Sequence, residues 1–247
     1  MITVQNLSFS YLKNKPIIED ISFTAGKGEI INILGPNGCG KTTLLKIMLG
    51  FMPTARNMIS IDGTDIRDIN RSRMAKIFSY VPQLHLGVFS YPVLDVVLMG
   101  RVSMSPWYKY NDEDYRIAHE ALEKMGLTEY SQRLYLHLSG GERQLVLIAR
   151  ALAQGAQYFI MDEPVSGLDY GNQFLLLQVI RDLAEQGQSI ILTTHHPEHA
   201  LFLGGRALLI KHGRVMADGP TREVINTDSI CALYNMPREL LKDIWPN

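Results

Sequence analysis

At 247 residues, with 46% hydrophobic and 20% charged side chains, the chain has the composition of one ordinary globular domain with a substantial core. A net charge of -1 supplies no basic field and disfavours nucleic acid as a partner, and the two cysteines, Cys39 and Cys231, make neither a disulfide framework nor a metal-ligand spacing. No basic and then apolar leader opens the sequence and no uninterrupted apolar run of about 18 residues occurs, so the expectation is a chain in a reducing compartment that does not itself cross a membrane.

Apolar and polar residues alternate from Ile2 to Tyr11 and again from Ile17 to Phe23, which predicts two strands joined across Lys13 to Pro16. Tyr11 ends the first of them, either as a strand-edge aromatic packed on the core or as a face on which a base stacks; its chemistry alone favours packing. Glu29 to Leu34 is an apolar run that reads as a buried strand, and Thr43 to Leu49 is an amphipathic run that reads as a helix. Between them lies Gly35-Pro36-Asn37-Gly38-Cys39-Gly40-Lys41-Thr42-Thr43. This matches G-x-x-x-x-G-K-[ST] in a strand, turn and helix context, so it is a P-loop. The glycines let successive backbone N–H groups face phosphate oxygens, and the helix start adds its unpaired amides and dipole. Lys41 can reach the outer phosphates and the Thr42 hydroxyl can ligate Mg²⁺. The expected ligand is a nucleoside triphosphate.

Ile59 to Gly63 reads as a strand entering a turn, Arg71 to Lys76 as a short polar helix, and Ile77 to Gln83 as a strand stopped by Pro82. By itself Gln83 reads as a surface residue. From Tyr91 to about Gly155 helical spacing takes over, in Val93 to Gly100, Asp112 to Met125 and Glu142 to Ala153, which predicts a helical insertion. Its Met104 to Tyr110 stretch is aromatic-rich and reads either as a partner-contact loop or as one tucked against its own helices. Ser139 and Glu142 fit a capping box before the last of these helices, while Gly140 and Gly141 leave several N–H groups accessible to an anion. Tyr158 to Met161 is a short apolar strand closing in Asp162-Glu163, and the carboxyl end of such a strand is where an α/β sheet places its chemistry. Beside a P-loop, Asp162 is the natural Mg²⁺ partner and Glu163 can deprotonate an attacking water. Residues Asn172 to Gln186 read as a helix and Ser189 to Thr194 as a strand. His195 and His199 have i, i+4 spacing, but no cysteine completes a metal set and Pro197 starts a new helix. A phosphate contact by His195 is therefore favoured. Arg206 to Ile210 and Arg214 to Asp218 form a hairpin about His212-Gly213, two short helices follow, and Cys231 is expected to be a small buried group.

These pieces, in this order, resemble the nucleotide-binding subunit of ATP-binding-cassette transporters over nearly the whole chain. The resemblance implies an α/β fold with a P-loop NTPase core and mixed sheet (residues 1–88 and 156–247), an N-terminal antiparallel β subdomain and an inserted helical subdomain (residues 89–155). It makes Tyr11 the adenine-stacking aromatic and Gln83 the link between the Mg²⁺ and water site and a transmembrane partner. Leu138 to Glu142 resembles the family signature, Ser166 to Asp169 the loop at the dimer interface, and His195 the histidine that contacts the γ-phosphate. The implied ATP contacts are thus Tyr11, Gly35, Asn37, Gly38, Cys39, Gly40, Lys41, Thr42, Thr43, Ser139, Gly140, Gly141 and Asp169. Glu163, His195 and Gln83 are the implied catalytic residues, and Thr42, Gln83 and Asp162 the implied Mg²⁺ ligands. Three residues depart from the pattern: Glu142 stands where Gln is usual, Val165 where Thr or Ser is common, and His196 where an acid often follows.

Because the signature lies in a separate helical block, it is expected to address the nucleotide of a second copy, giving a head-to-tail homodimer that opens on hydrolysis. Integral membrane permease subunits are the implied partners, with a substrate-binding protein acting indirectly, which places the chain on the cytoplasmic face of the cell membrane. Ser90 to Arg101 resembles the corresponding segment of importers for metal chelates and oxyanions, and no added regulatory region like that of sugar-importer ATPases is expected. The alternative is a soluble ATPase of the same fold serving iron-sulfur cluster assembly; a DNA-maintenance cassette is disfavoured by the lack of long heptads, zinc cysteines or a basic face.

Overall fold

The computed structural model describes residues 1–13, 15–83, 91–104 and 109–240. Ser90 of the importer-like segment and residues 105–108 of the aromatic loop lie outside the described residues. The chain divides into two compact units, residues 1–70 with 180–247, and residues 71–179.

In the first unit, β1 (Ile2–Leu12) and β2 (Lys15–Ala25) are antiparallel, with Ile2 opposite Ala25 and Val4 opposite Phe23. Alternation in β1 puts Ile2 and Val4 in the core, and a register shift between Val4 and Leu7, with Asn6 at φ 47°, changes the phase so that Leu7 is buried as well, each contributing about 1.5–3 kcal/mol by burial. Strand β4 (Ile59–Ile61) pairs antiparallel with β1 and with β5 (Thr64–Asp65), a two-residue strand, to complete the N-terminal sheet in the order β2-β1-β4-β5.

The other sheet of this unit is built around β3 (Ile30–Leu34), all five residues of which are buried. It runs parallel to β8 (Ser189–Thr194) on one side and β9 (Arg206–Lys211) on the other, and β9 turns back antiparallel into β10 (Arg214–Pro220). The sheet is therefore mixed, as expected. His212 and Gly213 make the hairpin turn with φ of 49° and 75°, the left-handed pair that a tight turn of this kind requires. After β10 come α8 (Thr221–Val224) and α9 (Thr227–Tyr234), and α7 (Pro197–Leu203) and α9 cover one face, burying Ala200, Ile230 and Leu233 against Leu34 and Leu209. Cys231 packs beside this cluster and is half-buried rather than fully enclosed.

The second unit contains the expected helices together with the strands that precede and follow them. Strand β6 (Phe78–Val81) is parallel to β7 (Tyr158–Asp162), with Phe78 opposite Tyr158. The strand expected from Ile77 starts one residue later because Ile77 closes α2 (Arg71–Ile77). Between β6 and β7 run α3 (Val93–Leu98), α4 (Asp112–Lys124) and α5 (Gly140–Gln154). Helix α3 ends sooner than its spacing implied, tightening into a 3₁₀ turn from Met99 to Ser103. Gly100 in that turn has no room for a side chain, since a Cβ there would collide with the Arg150 carbonyl of α5. Arg101 then reaches into the bundle, where Nε donates to Asp114 Oδ1 at 2.9 Å and Nη1 to the Ala153 carbonyl at 2.9 Å. Helix α6 (Tyr170–Glu185) carries the chain from this unit back into the first.

Candidate nucleotide-hydrolysis site

The P-loop leaves the carboxyl end of β3 and enters α1 (Lys41–Met48). Gly38 and Gly40 hold φ of 78° and 107°, where an L side chain is strained, so the motif's glycine at position 40 is a backbone requirement. Gly40 is also the N-cap of α1 and offers no side-chain oxygen, which leaves the first-turn amides for a ligand. Gly35 is needed for a different reason: a Cβ there would collide with the Ile210 carbonyl and the Cys39 sulfur. Cys39 is buried, and its thiol is pushed up by that burial. Asn37 and Gly38 are exposed at the tip, Thr42 is half-buried and Thr43 is buried. Lys41, only 6% exposed, turns back over the loop, donating from Nζ to the Gly35 carbonyl at 2.7 Å and the Pro36 carbonyl at 3.3 Å. The ammonium is thus fixed at the mouth of the loop instead of sampling solvent.

Tyr11 joins this group. Its hydroxyl lies 3.2 Å from Thr43 Oγ1, its ring meets Phe9 edge-on at 5.1 Å, and 54% of the residue remains exposed. The ring is therefore not packed into the core, and much of it faces solvent. His195 arrives by strand register. Leu34 of β3 is opposite Thr194 of β8, so Gly35 and His195 leave neighbouring parallel strands at the same rung. His195 is exposed, and its carbonyl accepts from Tyr234 Oη at 3.0 Å, an anchor from α9 that the sequence did not reveal.

In the second unit, β7 delivers the acidic pair with Asp162 only 2% and Glu163 only 8% exposed. Glu163 sits at φ 46°, a left-handed conformation that costs a non-glycine residue on the order of 1 kcal/mol and points to a functional constraint. Its Oε2 accepts from Gln83 Nε2 at 2.7 Å across 80 residues of sequence. Gln83, read by itself as a surface residue, is half-buried and bonded directly to the acidic pair. Nearby, burial and then the negative charge of Asp162 push the Tyr80 phenol up to about 12.

The signature folds as the capping box expected of it. Ser139 N-caps α5, its Oγ accepting from the Glu142 amide at 3.3 Å while Glu142 Oε2 accepts from the Ser139 amide at 2.7 Å. These bonds from Ser139 hold the Glu142 carboxyl below its usual range. The Glu142 carboxylate thus bonds the N-cap amide of its own helix. Ser139 and Gly140 are exposed, and a Cβ on Gly140 would meet nothing within 4 Å, so that face is open to a ligand. Asp169 caps α6, accepting from the Asn172 amide at 2.9 Å and from Asn172 Nδ2 at 2.7 Å, and α6 consequently starts at Tyr170 instead of Asn172.

The first unit thus brings Tyr11, the P-loop residues Gly35 to Thr43 and His195 together, and the second brings Gln83, Asp162 and Glu163 together and presents Ser139 to Gly141 and Asp169. The residues assigned to Mg²⁺ suit it chemically. Thr42, Asp162 and Gln83 all offer oxygen, the hard donor that ion requires, and because Gln83 gives its Nε2 to Glu163, its Oε1 remains for a cation.

The ABC transporter profile matches residues 18–166 of this chain. The chain belongs to the ABC transporter family. It is 34% identical over 238 residues to the molybdate import ATP-binding protein MolC of Haemophilus influenzae, an alignment covering 96% of this chain and 88% of that one. It is likewise 34% identical over 244 residues to the iron(3+)-hydroxamate import ATP-binding protein FhuC of Bacillus subtilis, covering 98% and 90%. Among solved structures, an inward-facing conformation of a metal-chelate type ABC transporter matches with a TM-score of 0.82 at 34% identity, over 96% of this chain and 89% of that one. As an ABC ATPase the chain binds nucleotide, and its hydrolysis is coupled to transport. Among the described residues no helix is long and apolar enough to cross a membrane.

Proposed function

We propose that the chain is the ATP-hydrolysing subunit of a prokaryotic importer for a metal chelate or oxyanion, acting as a head-to-tail pair of copies bound to membrane permease subunits on the cytoplasmic face of the cell membrane. The observation that carries the chemistry is the Gln83–Glu163 hydrogen bond at the carboxyl end of β7, with Glu163 held in a left-handed backbone. The reading of the cargo class rests on relatives named for molybdate and iron(3+)-hydroxamate import.

In this mechanism the P-loop amides and Lys41 hold the β- and γ-phosphates and Tyr11 stacks on adenine. Glu163, oriented by Gln83, takes the proton of the attacking water as its oxygen approaches the γ-phosphorus. His195, at the end of the strand beside the P-loop, donates to a γ-phosphate oxygen and stabilises the charge that develops there. Thr42, Asp162 and Gln83 would hold Mg²⁺, which neutralises charge on the β- and γ-phosphates. No arginine finger is assigned. The exposed Ser139 to Gly141 face of a second copy supplies the remaining donors, and Asp169 borders the joint between copies. Hydrolysis separates the γ-phosphate from the nucleotide it bridged, so the pair opens and the permease changes state. A substrate-binding protein delivers cargo on the other side and does not touch this chain.

Detergent extraction of the chain from native membranes tests this reading. A polytopic membrane protein should co-purify and change the rate of ATP hydrolysis. Recovery with iron-sulfur assembly scaffolds and no membrane partner would sink it in favour of the soluble alternative.

A further inference from the structure

One cluster of chemistry-bearing side chains has no place in this mechanism. His195 and His199 have the spacing that would put them on one helical face, but Pro197 starts α7 after the strand has ended, so His195 stays with β8 and the pairing passes to His196 and His199. Glu198 joins them: one ligand atom from each of His196, Glu198 and His199 lies within 4.8 Å of the other two. His196 Nδ1 is 2.9 Å from Glu198 Oε1, and the His196 and His199 rings are 4.5 Å apart at 37°. The ligand atoms of a tetrahedral site with bonds of about 2.0–2.1 Å are about 3.4 Å from one another, so the His196–Glu198 edge is already short enough, and the edges to His199, at no more than 4.8 Å, need to close by up to about 1.4 Å.

His199 is 2% exposed, so packing holds its ring in place beside the other two side chains. Glu198 is exposed and His196 half-buried, which leaves an approach for an ion and further positions for water. Two imidazoles and one carboxylate with open positions form the donor set of a borderline metal such as Zn²⁺, and they are a weaker set for Mg²⁺, which prefers oxygen alone.

We propose that His196, Glu198 and His199 bind a divalent first-row transition ion of the zinc class, and that its occupancy slows ATP turnover by restraining His195. The His195 and His196 rings lie 4.2 Å apart, and Tyr234 already anchors the His195 carbonyl, so an ion fixing His196 limits the freedom of its neighbour and adds positive charge beside it. The braking effect rests on the role of His195 proposed above; metal binding does not. A subunit driving metal uptake would thereby slow as free metal accumulates.

The test uses the untagged full chain without nucleotide, titrated with Zn²⁺ in a calorimeter and with Co²⁺ by visible absorption. One ion per chain is expected, with the intense d–d bands of a low-coordinate Co²⁺ site. The double variant His196→Gln, Glu198→Gln alters only accessible side chains and should lower affinity about 100-fold or more, whereas His195→Ala should keep it. Binding unchanged in the double variant, or abolished by His195→Ala, overturns the site. Phosphate release at saturating Mg-ATP is then followed with added Zn²⁺. Slowing in the natural chain and not in the double variant supports the brake, and equal slowing in both overturns it. Because the titration contains no ATP, failure of the importer reading would leave its result intact.

Discussion

Replacing Glu163 by Gln tests its proposed role as general base while leaving the surrounding structure in place. The substitution keeps side-chain length, the burial at 8% exposure and the left-handed backbone at φ 46°, and a glutamine oxygen can still accept from Gln83 Nε2, which lies 2.7 Å from the present carboxylate. What is lost in the fold is the ionic part of that bond, since a hydrogen bond to a charged group contributes about 1.5–3 kcal/mol and a neutral one about 0.5–1.5. Stability should therefore fall by about 1–1.5 kcal/mol at the middle of those ranges and by no more than about 2.5 kcal/mol, and by less where relief of a buried charge compensates. Catalysis loses its general base, a loss of roughly 10²–10⁴ in rate, equivalent to about 2.7–5.4 kcal/mol of transition-state stabilisation. Thermal unfolding reads the first quantity, fluorescent-nucleotide titration confirms that ATP still binds, and steady-state phosphate release at saturating Mg-ATP reads the second. Normal binding with a rate reduced less than tenfold would refute the assignment of Glu163 as the base.

Tyr11→Ala should weaken ATP binding by about 1–3 kcal/mol, the worth of a stacked aromatic, while Tyr11→Trp largely retains it; equal affinity in Tyr11→Ala would show that the exposed ring does not meet the base. Glu142 should make α5 acid-sensitive. Its carboxyl is held below the ordinary value of 4.5, so its stabilising contribution is full above that pH and disappears as pH falls through the lower, folded value. Because the group is largely solvated, the effect is only about 0.5 kcal/mol, visible as a loss of acid-limb slope in Glu142→Gln by denaturant unfolding at stepped pH. An unchanged slope would mean that the cap contributes nothing.

Local rules made part of this molecule legible. The apolar runs Ile30 to Leu34 and Tyr158 to Met161 could only be buried strands, and the P-loop and the acidic pair follow directly from their carboxyl ends. The capping box at Ser139 and Glu142 is likewise a property of four consecutive residues. What escaped the sequence depends on distant partners. The placement of Tyr11 depends on its contacts with Phe9 and Thr43, and Gln83 meets Glu163 only because β6 lies beside β7. The positive φ of Glu163 has no signature in residue type. For the histidines, the helix start at Pro197 was legible in the sequence, but the grouping of His196 with Glu198 and His199 was not, because it depends on how the first turn of α7 places their side chains.

The central claim is that each hydrolysis site is completed by a second copy, the P-loop of one chain facing Ser139 to Gly141 of the other. Purified Lys41→Ala and Ser139→Ala chains, each impaired alone, should be mixed and assayed for phosphate release. Mixed pairs contain one site with an intact Lys41 from one chain and an intact Ser139 from the other, so turnover should rise above that of either variant alone. A mixture no more active than its components would contradict the head-to-tail arrangement.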